Sequence, residues 1–563
     1  MDPSLVGSAC HNAEPPPIYD NFFSPENRAF YSQKPYKALD QSQQQLRLLK
    51  LLPAETTSDG ELSFTLLDQV PRTAGTRVRY TALSYCAGDP KKIVPIRVNG
   101  IKFNAFANLG HALKEVMIYW EKNGRKREEE CLWADQICID QSNPDERSHQ
   151  VGMMRDIYSG AERVLVCLAE RESNGVGVQW AIEVHQWLQG VNATDKSLRA
   201  EYFDKNTDRS PWWRGMNAFL KLLLTTWWTR AWICQEFILA AKADFLHGGN
   251  SISWQDFALV LLSFRLQFLT YIAYSRNYLP DGHASRHPAN QDPYAGSPAA
   301  LLEIERGNAA RGRLESACRL ISNKQEWASP RDLKVWLQHA ASCEASDPRD
   351  KVFAFLGLAA KGYEVEPDYS TPRSMAELCI YTTQKIIEYE KGADFLHCIP
   401  AGRVLNDGSL PSWVPDWTSK GAQGQPVISF PTLKKQEGDQ FVPEILRGNV
   451  LRITGLRIGI IGGNEMDWVP GSSTYSVITK GLCISWWPLD KIRPNDCVWY
   501  FPGNAGLFVL RPHGEHWLFL SVTKLRKPYY NENAPGTYTA TLILNGDFHG
   551  LCQLFEEETI EIH

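Results

Sequence analysis

The stretch Leu132-Trp-Ala-Asp-Gln-Ile-Cys-Ile-Asp-Gln141 decides the fold, because an apolar run ends abruptly in the carboxylate of Asp135. This pattern predicts a buried strand that carries an acid at its carboxyl end. A helix should follow. Asn143 can cap its first turn, Pro144 suits the first helical position, and Glu146 stands where it can complete a reciprocal capping box.

The chain beyond this stretch alternates helix and strand. Val151, Met154 and Tyr158 recur at helical spacing and predict a buried helix face, with a helix end at Gly160. Residues 163–169, Arg-Val-Leu-Val-Cys-Leu-Ala, predict a strand that is apolar on both faces, which is typical of a parallel sheet covered by helices. The whole segment therefore predicts a strand–helix–strand crossover.

Length and composition narrow the class of protein. With 563 residues the chain should hold two or three units, and its net charge of -5 gives no electrostatic reason to expect nucleic-acid binding. The 13 cysteines are odd in number and lack a Cys-x-x-Cys pair, so we expect reduced thiols without a zinc site. The first 19 residues do not resemble a signal peptide. Residues 257–279 are apolar, but Arg265 and Arg276 interrupt them, which favours a buried helix over a membrane span.

The pattern of elements divides the chain into five regions. We predict an N-terminal extension with a hairpin (1–75), an α/β domain (80–248, core motifs 80–237), a helix with a proline-rich linker (249–298), a helical region (299–445) and a β-rich C-terminal region (446–563). The α/β domain should have a mainly parallel sheet flanked by helices, with a strand at 81–85 and helices at 109–120, 178–188 and 227–241. His283 and His287 in the linker lack an acidic partner, so no metal site is predicted.

Candidate site residues fall in three clusters. They are Ser84, Tyr85, Gly88 and Asp89 in the first, Trp133, Asp135, Cys138, Asp140 and Gln141 in the second, and Arg230, Trp232, Gln235 and Glu236 in the third. Ligands gather outside the carboxyl ends of parallel strands, so the first two clusters should share one edge of the sheet. Glu236 would stand there among tryptophans, which raise the pKa of a carboxyl group and suit it to act as a base or to stabilise a developing cation. The chain contains no phosphate-binding loop, serine-hydrolase elbow, zinc-protease motif or kinase signature.

Each cluster also has a structural explanation. Asp135 and Asp140 can simply cap the turn after the strand. Trp133 and Trp232 can be core residues, Arg230 and Glu236 can be a structural ion pair, and Cys86, Cys138 and Cys234 can be small buried hydrophobic residues.

In these clusters the chain resembles the fungal heterokaryon incompatibility (HET) domain family. The resemblance rests on three motifs. They are Tyr80-Thr-Ala-Leu-Ser-Tyr85 with Gly88-Asp89, residues 132–141 with Glu146, Arg147, Gln150-Val151, Met154 and Ile157-Tyr158, and Arg230-Ala-Trp-Ile-Cys-Gln-Glu236. Segments at 347–358, 368–370 and 410–417 are similar to those that follow the domain in many of these proteins. The first motif departs from the usual pattern at Cys86 and Ala87, where a bulky residue and a tryptophan are common.

The resemblance implies a cytoplasmic role in fungal non-self recognition, in which the HET domain triggers growth arrest or cell death, with self-association and a protein partner of unknown identity. The domain is also distantly similar to TIR domains, and Trp232-Ile-Cys-Gln-Glu236 resembles the segment that carries the catalytic glutamate of NAD-cleaving TIR enzymes. This implies a TIR-like fold, Glu236 as the catalytic residue, NAD as the candidate substrate and no required cofactor. Residues implied to bind substrate are Ser84, Tyr85, Asp89, Trp133, Asp135 and Trp232, supported by Gly88, Cys138, Asp140, Gln141, Arg230 and Gln235.

Two functional hypotheses stay open at this point. In one, the chain is an NAD glycohydrolase whose activity depends on self-association. In the other, the same domain is a non-enzymatic signalling adaptor, an interpretation that Ala87 favours and the carboxylate-rich sheet edge opposes. In either case residues 300–563 are expected to restrain or direct the HET domain.

Overall fold

The fold is seen in a computed structural model of the chain. The structure describes residues 27–52, 61–71, 78–168, 174–191, 196–207, 210–269, 308–371, 373–399, 410–418, 442–461, 466–468, 475–479, 482–486, 492–502, 504, 506–526 and 548–563. The chain divides into two compact units. The first comprises Met1–Ala328 with Asp368–Ser370, and the second comprises Ser329–Pro367 with Thr371–His563.

The first unit is built on a nine-stranded sheet with the order β5-β4-β2-β1-β6-β3-β7-β8-β9. Its strands are β1 Leu46–Leu51, β2 Ser63–Val70, β3 Thr81–Ser84, β4 Ile93–Val98, β5 Ile101–Phe106, β6 Cys131–Trp133, β7 Arg163–Cys167, β8 Ala243–His247 and β9 Asn250–Ser253. The four strands β6, β3, β7 and β8 are parallel and nearly continuously buried, as an apolar run covered by helices requires.

The prediction of a mainly parallel sheet is wrong for the sheet as a whole, which is mixed. The hairpin β1–β2, predicted near residues 46–67, lies within this same sheet, because β1 pairs antiparallel with β6 through Leu49 and Leu132. A second hairpin, β4–β5, escaped prediction although its turn has a clear signal. Asn99 and Gly100 both have positive φ, 53° and 78°, as a two-residue hairpin turn between twisted strands demands. The mixed sheet does not confirm the TIR-like expectation.

Helices flank this sheet. They are α1 Arg28–Ser32, α2 Ala107–Lys122, α3 Asp135–Cys138, α4 Pro144–Gly152, α5 Met154–Gly160, α6 Val176–Gln189, α7 Lys196–Thr207, α8 Ser210–Leu222, α9 Ile233–Ile238, α10 Trp254–Ser263 and α11 Asn308–Gln325. The predictions at 109–120 and 178–188 are confirmed by α2 and α6. The predicted helix at 227–241 is wrong, because a 3-10 turn at Thr226–Thr229 and an extended Arg230 precede the short α9. The hydroxyls of Thr225 and Thr229 donate to backbone carbonyls three residues earlier and so compete with a continuous helix.

The crossover from β6 to β7 forms as predicted, with β3 between the two strands. Asn143 caps α4, since its side chain accepts a hydrogen bond from the Glu146 N–H at 3.2 Å, and Pro144 occupies the first turn. The reciprocal capping box is wrong. The Glu146 carboxylate instead accepts from the Asp140 N–H at 2.8 Å and pairs with the buried guanidinium of Arg47.

The second unit combines a few helices with a second nine-stranded sheet, as the predicted helical and β-rich regions suggested. The helices are α12 Leu333–Ala340, α13 Asp350–Leu356, α14 Met375–Glu390 and α15 Phe548–Cys552. The strands are β10 Glu444–Leu446, β11 Val450–Ile460, β12 Met466–Trp468, β13 Tyr475–Thr479, β14 Leu482–Trp486, β15 Cys497–Tyr500, β16 Leu507–His513, β17 His516–Arg526 and β18 Glu557–Ile562. All described pairings are antiparallel except β17 with β18.

The core of the second sheet is apolar. Residues of β11, β15 and β16 pack with the short α15 in one buried cluster that includes Leu456, Val498, Val509 and Leu551. No helix in the described part of the chain is long and apolar enough to cross a membrane. The predicted turn at 58–60 and the proline-rich linker with His283 and His287 lie outside the described residues.

Candidate functional site

Two of the predicted clusters meet at one edge of the first sheet. Strands β3 and β6 are parallel neighbours, with Ala82 opposite Trp133, so their carboxyl ends lie side by side. The phenol of Tyr85 donates a hydrogen bond to Asp135 Oδ1 at 2.9 Å, and the Gln136 N–H donates to the same oxygen at 2.7 Å. The expected shared edge is therefore present and holds the Asp135 carboxylate in a fixed orientation.

The third cluster reaches the same place through Glu236. The Ser84 hydroxyl, at the end of β3, donates to Glu236 Oε2 on α9. The indole of Trp227 in turn donates to Ser84 Oγ at 2.8 Å. An indole N–H can only donate, so Ser84 accepts from Trp227 and directs its own proton to Glu236. The hydrogen bonds from Trp227 to Ser84 and from Ser84 to Glu236 therefore provide a donor to a carboxylate whose residue is only 3% exposed.

The surroundings of Glu236 raise the pKa of its carboxyl group to near neutrality. Burial raises its pKa to about 7, the positive charge of Arg230 and the hydrogen bond from Ser84 oppose that rise, and the charge of Asp135 adds to it. Burial also raises the pKa of Tyr85, and Asp135 raises it further, so Tyr85 stays a phenol. Glu236 is thus poised to exchange a proton near neutral pH.

Arg230 supplies the positive charge of the site. Burial lowers its pKa, but the charges of Glu236, Cys86 and Asp135 outweigh that effect and raise it, so the guanidinium stays protonated. It donates to the backbone carbonyl of Tyr85. Within the described part of the chain, Arg230 and Glu236 form no hydrogen bond or ion pair with each other. The positive charge of Arg230 therefore acts on Glu236 through space, and its guanidinium does not donate to the carboxylate oxygens.

Several candidate residues support the turn after β6. The Gln141 side chain donates to the Asp135 carbonyl at 2.9 Å. Asp140 Oδ1 accepts from the Ser142 N–H at 3.0 Å and from its hydroxyl at 2.6 Å, which is the capping role considered for it. Cys138 is buried, and burial raises the pKa of its thiol to about 12, so it is an inert packing residue.

The remaining candidates divide by exposure. Asp89 is exposed in the turn after β3, where it accepts from the Lys91 N–H at 3.0 Å. The preceding Gly88 has φ of +80°, and a Cβ there would collide with Asn108, so only glycine fits. Trp232 is half-buried at the start of α9 and Gln235 is buried within it.

Trp133 is fully buried and packs edge-on against Tyr158, with ring centroids 5.5 Å apart. It therefore lies behind the site rather than at its surface.

Sequence reasoning missed Trp227. Two adjacent tryptophans, Trp227 and Trp228, follow the same threonines, and nothing in their spacing shows which one faces Ser84. In the structure the indole of Trp228 donates to the Leu222 carbonyl at 2.8 Å and is a local packing residue. Only the sheet topology, which brings residues 84 and 227 together, separates their roles.

The arrangement joins a carboxyl group that titrates near neutrality, a hydroxyl donor and a fixed cation at the carboxyl edge of four parallel strands. Such a carboxylate can accept a proton from water or stabilise positive charge that develops on a bound molecule. Among the candidate residues, Asp135, Arg230 and Trp232 are half-buried and Asp89 is exposed.

Comparisons with known proteins point to one family. Residues 80–236 match the sequence model of the family described as heterokaryon incompatibility protein (HET). A Neurospora crassa protein, heterokaryon incompatibility protein 6, OR allele, is 26% identical over 471 residues, which cover 76% of this chain and 65% of that protein. The chain thus spans about 65% of the length of this curated relative. No solved structure matches the chain.

Proposed function

We propose that this chain, whose residues 80–236 match the HET family, acts in non-self recognition of the heterokaryon incompatibility type, as an effector that hydrolyses the nicotinamide–ribose bond of NAD. Its relative carries heterokaryon incompatibility in its name. The observation that carries the enzymatic part is Glu236, a carboxyl group with a pKa of about 7 held beside Ser84 and Arg230.

The proposed chemistry needs little more than a placed carboxylate. As the bond from ribose C1′ to the nicotinamide nitrogen breaks, its electron pair leaves with nicotinamide and C1′ gains oxocarbenium character. The ionised Glu236 stabilises this positive charge. Water then adds to C1′, and its proton passes to the Glu236 carboxylate, giving ADP-ribose and free nicotinamide.

The neighbouring residues have proposed roles in binding. Tyr85 and Asp135 offer a phenol and a carboxylate to the ribose hydroxyls, and the half-buried Trp232 offers a ring to the nicotinamide. Asp89 in the exposed turn would contact the outer part of the substrate. Because Glu236 is only 3% exposed, substrate must reach it by a local opening of this edge, which is the step that we propose self-association promotes. The proposal places this action in the cytoplasm and requires no cofactor.

A second candidate is a signalling adaptor without enzymatic activity. Two observations favour it. Ser84 and Glu236 are satisfied by each other and nearly closed to solvent, as in a structural network. The first motif also has Ala87 where the family pattern that it resembles commonly has a tryptophan, and Cys86 accepts from the Thr226 hydroxyl at 3.2 Å. In this alternative the domain associates with an unknown protein partner, and Glu236 only shapes the edge.

The deciding experiment measures NAD consumption by the purified full chain over a range of concentrations, with nicotinamide and ADP-ribose identified as products. Glu236→Gln should lower turnover at least about a hundredfold, since it removes the group that stabilises the developing charge. Glu115→Gln is the matched control, because Glu115 is also buried, at 5% exposure, but lies on α2 and accepts from the Gly249 N–H at 2.9 Å. Folding of both variants is checked by circular dichroism.

The outcomes separate the two candidates. Turnover in the wild type and in Glu115→Gln, lost in folded Glu236→Gln, supports the hydrolase. No turnover by the wild type at concentrations where it self-associates would reject the hydrolase and favour the adaptor.

A further inference from the structure

Helix α11 carries two basic side chains that bind the segment holding Glu236 from both ends. Lys324 donates to three backbone carbonyls at the end of α9, those of Phe237, Ile238 and Ala240, at 2.7, 3.4 and 2.6 Å. At the other end of α11, the Arg313 guanidinium donates to the carbonyl of Leu224, just before the 3-10 turn that holds Trp227. Both contacts lie within the first unit.

The spacing of the two residues explains how one straight helix reaches both points. Arg313 and Lys324 are eleven residues apart, which is about three turns and roughly 16 Å, so they project from one face of α11. Between them Leu314, Ala317 and Ile321 are at most 1% exposed. The basic groups therefore lie at the two ends of a packed apolar stripe.

Lys324 has the surroundings of a helix cap. The last carbonyls of a helix have no intrahelical donor, and a cation there is favourable both as a donor and for the helix dipole. Lys324 is 7% exposed, its ammonium lies 4.9 Å from the ring centroid of Phe237 and 5.0 Å from that of Trp254, and no carboxylate pairs with it among the described residues. Burial lowers its pKa to about 8, so near neutral pH it is largely protonated and has three N–H donors for its three carbonyls.

We propose that Arg313 and Lys324, which lie outside the family-matched segment at 80–236, are positioning residues that fix α9 and so set the place and protonation of Glu236. Neither residue touches the Glu236 carboxylate. Their effect passes through the backbone from 224 to 240, the segment that also carries Trp227 and Arg230. A chain cut at residue 280 would lack both residues and would not report the behaviour of an intact site.

The test uses the full chain with Lys324→Met and Arg313→Met, and with Arg319→Met as the matched control. Arg319 is exposed on the same helix, and among the described residues its guanidinium donates only to the Ser316 hydroxyl, at 3.4 Å. Amide hydrogen exchange is measured for peptides covering 224–240. We expect exchange there to rise about tenfold or more in both test variants, because charged donors to helix-end carbonyls are lost, with no change in the control.

A second readout separates positioning from general stability. The protonated carboxyl of Glu236 is followed by infrared spectroscopy across pH and assigned with Glu236→Gln. A loosened α9 admits water, so the pKa of Glu236 should fall by about one unit or more toward its ordinary value of 4.5 in the test variants. Arg319→Met should leave it near the wild-type value.

This inference rests on the proposed function only in that the proposed function gives Glu236 a catalytic role. Different results would contradict the positioning role and the hydrolase. Absence of NAD turnover in the wild type rejects the hydrolase and leaves both readouts valid. Wild-type exchange at 224–240 and an unchanged Glu236 titration in the test variants would overturn the positioning role even in an active enzyme. If Lys324→Met unfolds the whole unit, Arg313→Met, whose side chain is half-buried, decides the question alone.

Discussion

Arg47 and Glu146 form a closed ion pair in the first unit, whereas Arg230 and Glu236, also held within that unit, stay apart. Arg47 Nη1 lies 2.5 Å from Glu146 Oε1, and Nη2 lies 2.9 Å from Oε2, so the pair is bidentate. Arg47 also lies 3.3 Å from Asp68. In the second pair the guanidinium binds the Tyr85 carbonyl and the carboxylate accepts from Ser84.

The two pairs differ in whether a guanidinium donates to the carboxylate oxygens. Both oxygens of Glu146 are engaged by a guanidinium, and its position ties the β1 strand of Arg47 to the turn after β6. Glu236 has a cation nearby that moderates its charge but no guanidinium on its oxygens, and burial raises its pKa to about 7. The same two residue types therefore hold the sheet together in one place and, in the other, leave the carboxylate without a guanidinium on its oxygens.

The largest effect should come from Arg47→Met. It leaves the nearly buried Glu146 carboxylate without its guanidinium and Asp68 with Lys37, 3.7 Å away, so the free energy of unfolding should fall by about 3–5 kcal/mol. Urea unfolding followed by tryptophan fluorescence measures the loss. Arg97→Met is the control, because the Arg97–Glu61 pair is more exposed and should be worth less than about 1 kcal/mol.

Equal losses in Arg47→Met and Arg97→Met would show that the closed pair has no special structural weight. Glu146→Gln sharpens the same point. Glutamine serves in a capping box as well as glutamate does, so a residue that only capped α4 would tolerate it, whereas an ion-pair partner of Arg47 would not.

The second prediction concerns the pH dependence of stability. Glu236 has a pKa of about 7 in the fold against an ordinary value of 4.5, so between these values the folded chain holds a proton that the unfolded chain releases. The free energy of unfolding contributed by this group is therefore fully present below about pH 4.5 and is lost as pH rises through 7, a change on the order of 3 kcal/mol. Unfolding by urea at several pH values should show this slope in the wild type and a shallower one in Glu236→Gln. Identical slopes in the two proteins would show that the pKa of Glu236 does not differ between the folded and unfolded chain in this pH range.

The sequence predicts the local features of these two pairs but not their long-range partners, and the reason is physical. Asp135, Asn143 and the crossover to β7 follow from local patterns, because an apolar run, a cap and a helical period each act over a few residues. Local patterns do not predict the partner of Glu146. The capping box and Arg47 compete for its carboxylate, and the carboxylate binds Arg47, which lies 99 residues away in the chain. The mixed sheet escaped for the same reason, as strand pairing is set by packing at long range.

The site shows the same limit. The expected sheet edge placed Glu236 beside Ser84, and the two side chains are hydrogen-bonded, but the hydrogen bond from Trp227 and the contacts from α11 depend on tertiary packing. The turn at Asn99-Gly100 is a different case, because its local signal was present in the sequence and would have given the β4–β5 hairpin.

The third prediction tests what moderates Glu236. The hydrogen bond from Ser84 opposes the rise in its pKa, so Ser84→Ala should raise the pKa above about 7, by roughly one unit. The infrared titration of the Glu236 carboxyl measures it. Tyr158→Phe is the control, because its buried hydroxyl donates to the adjacent Leu83 carbonyl at 3.1 Å and not to Glu236. A Glu236 pKa that is unchanged in Ser84→Ala would mean that burial and the charges of Arg230 and Asp135 set the protonation state without help from Ser84.

The smallest effect should come from Asn143→Ala. Its side chain accepts a hydrogen bond from the Glu146 N–H at the exposed start of α4, so its loss should lower the free energy of unfolding by about 1 kcal/mol, and Asn143→Gly by less. The comparison with Arg47→Met then has a clear meaning, because both changes act on Glu146, one through its backbone and one through its side chain. Urea unfolding of the double variant tests whether they are independent. Additive losses mean that the cap and the ion pair fix Glu146 separately, whereas a loss in the double variant no greater than that of Arg47→Met alone means that the cap only serves to aim the carboxylate at Arg47.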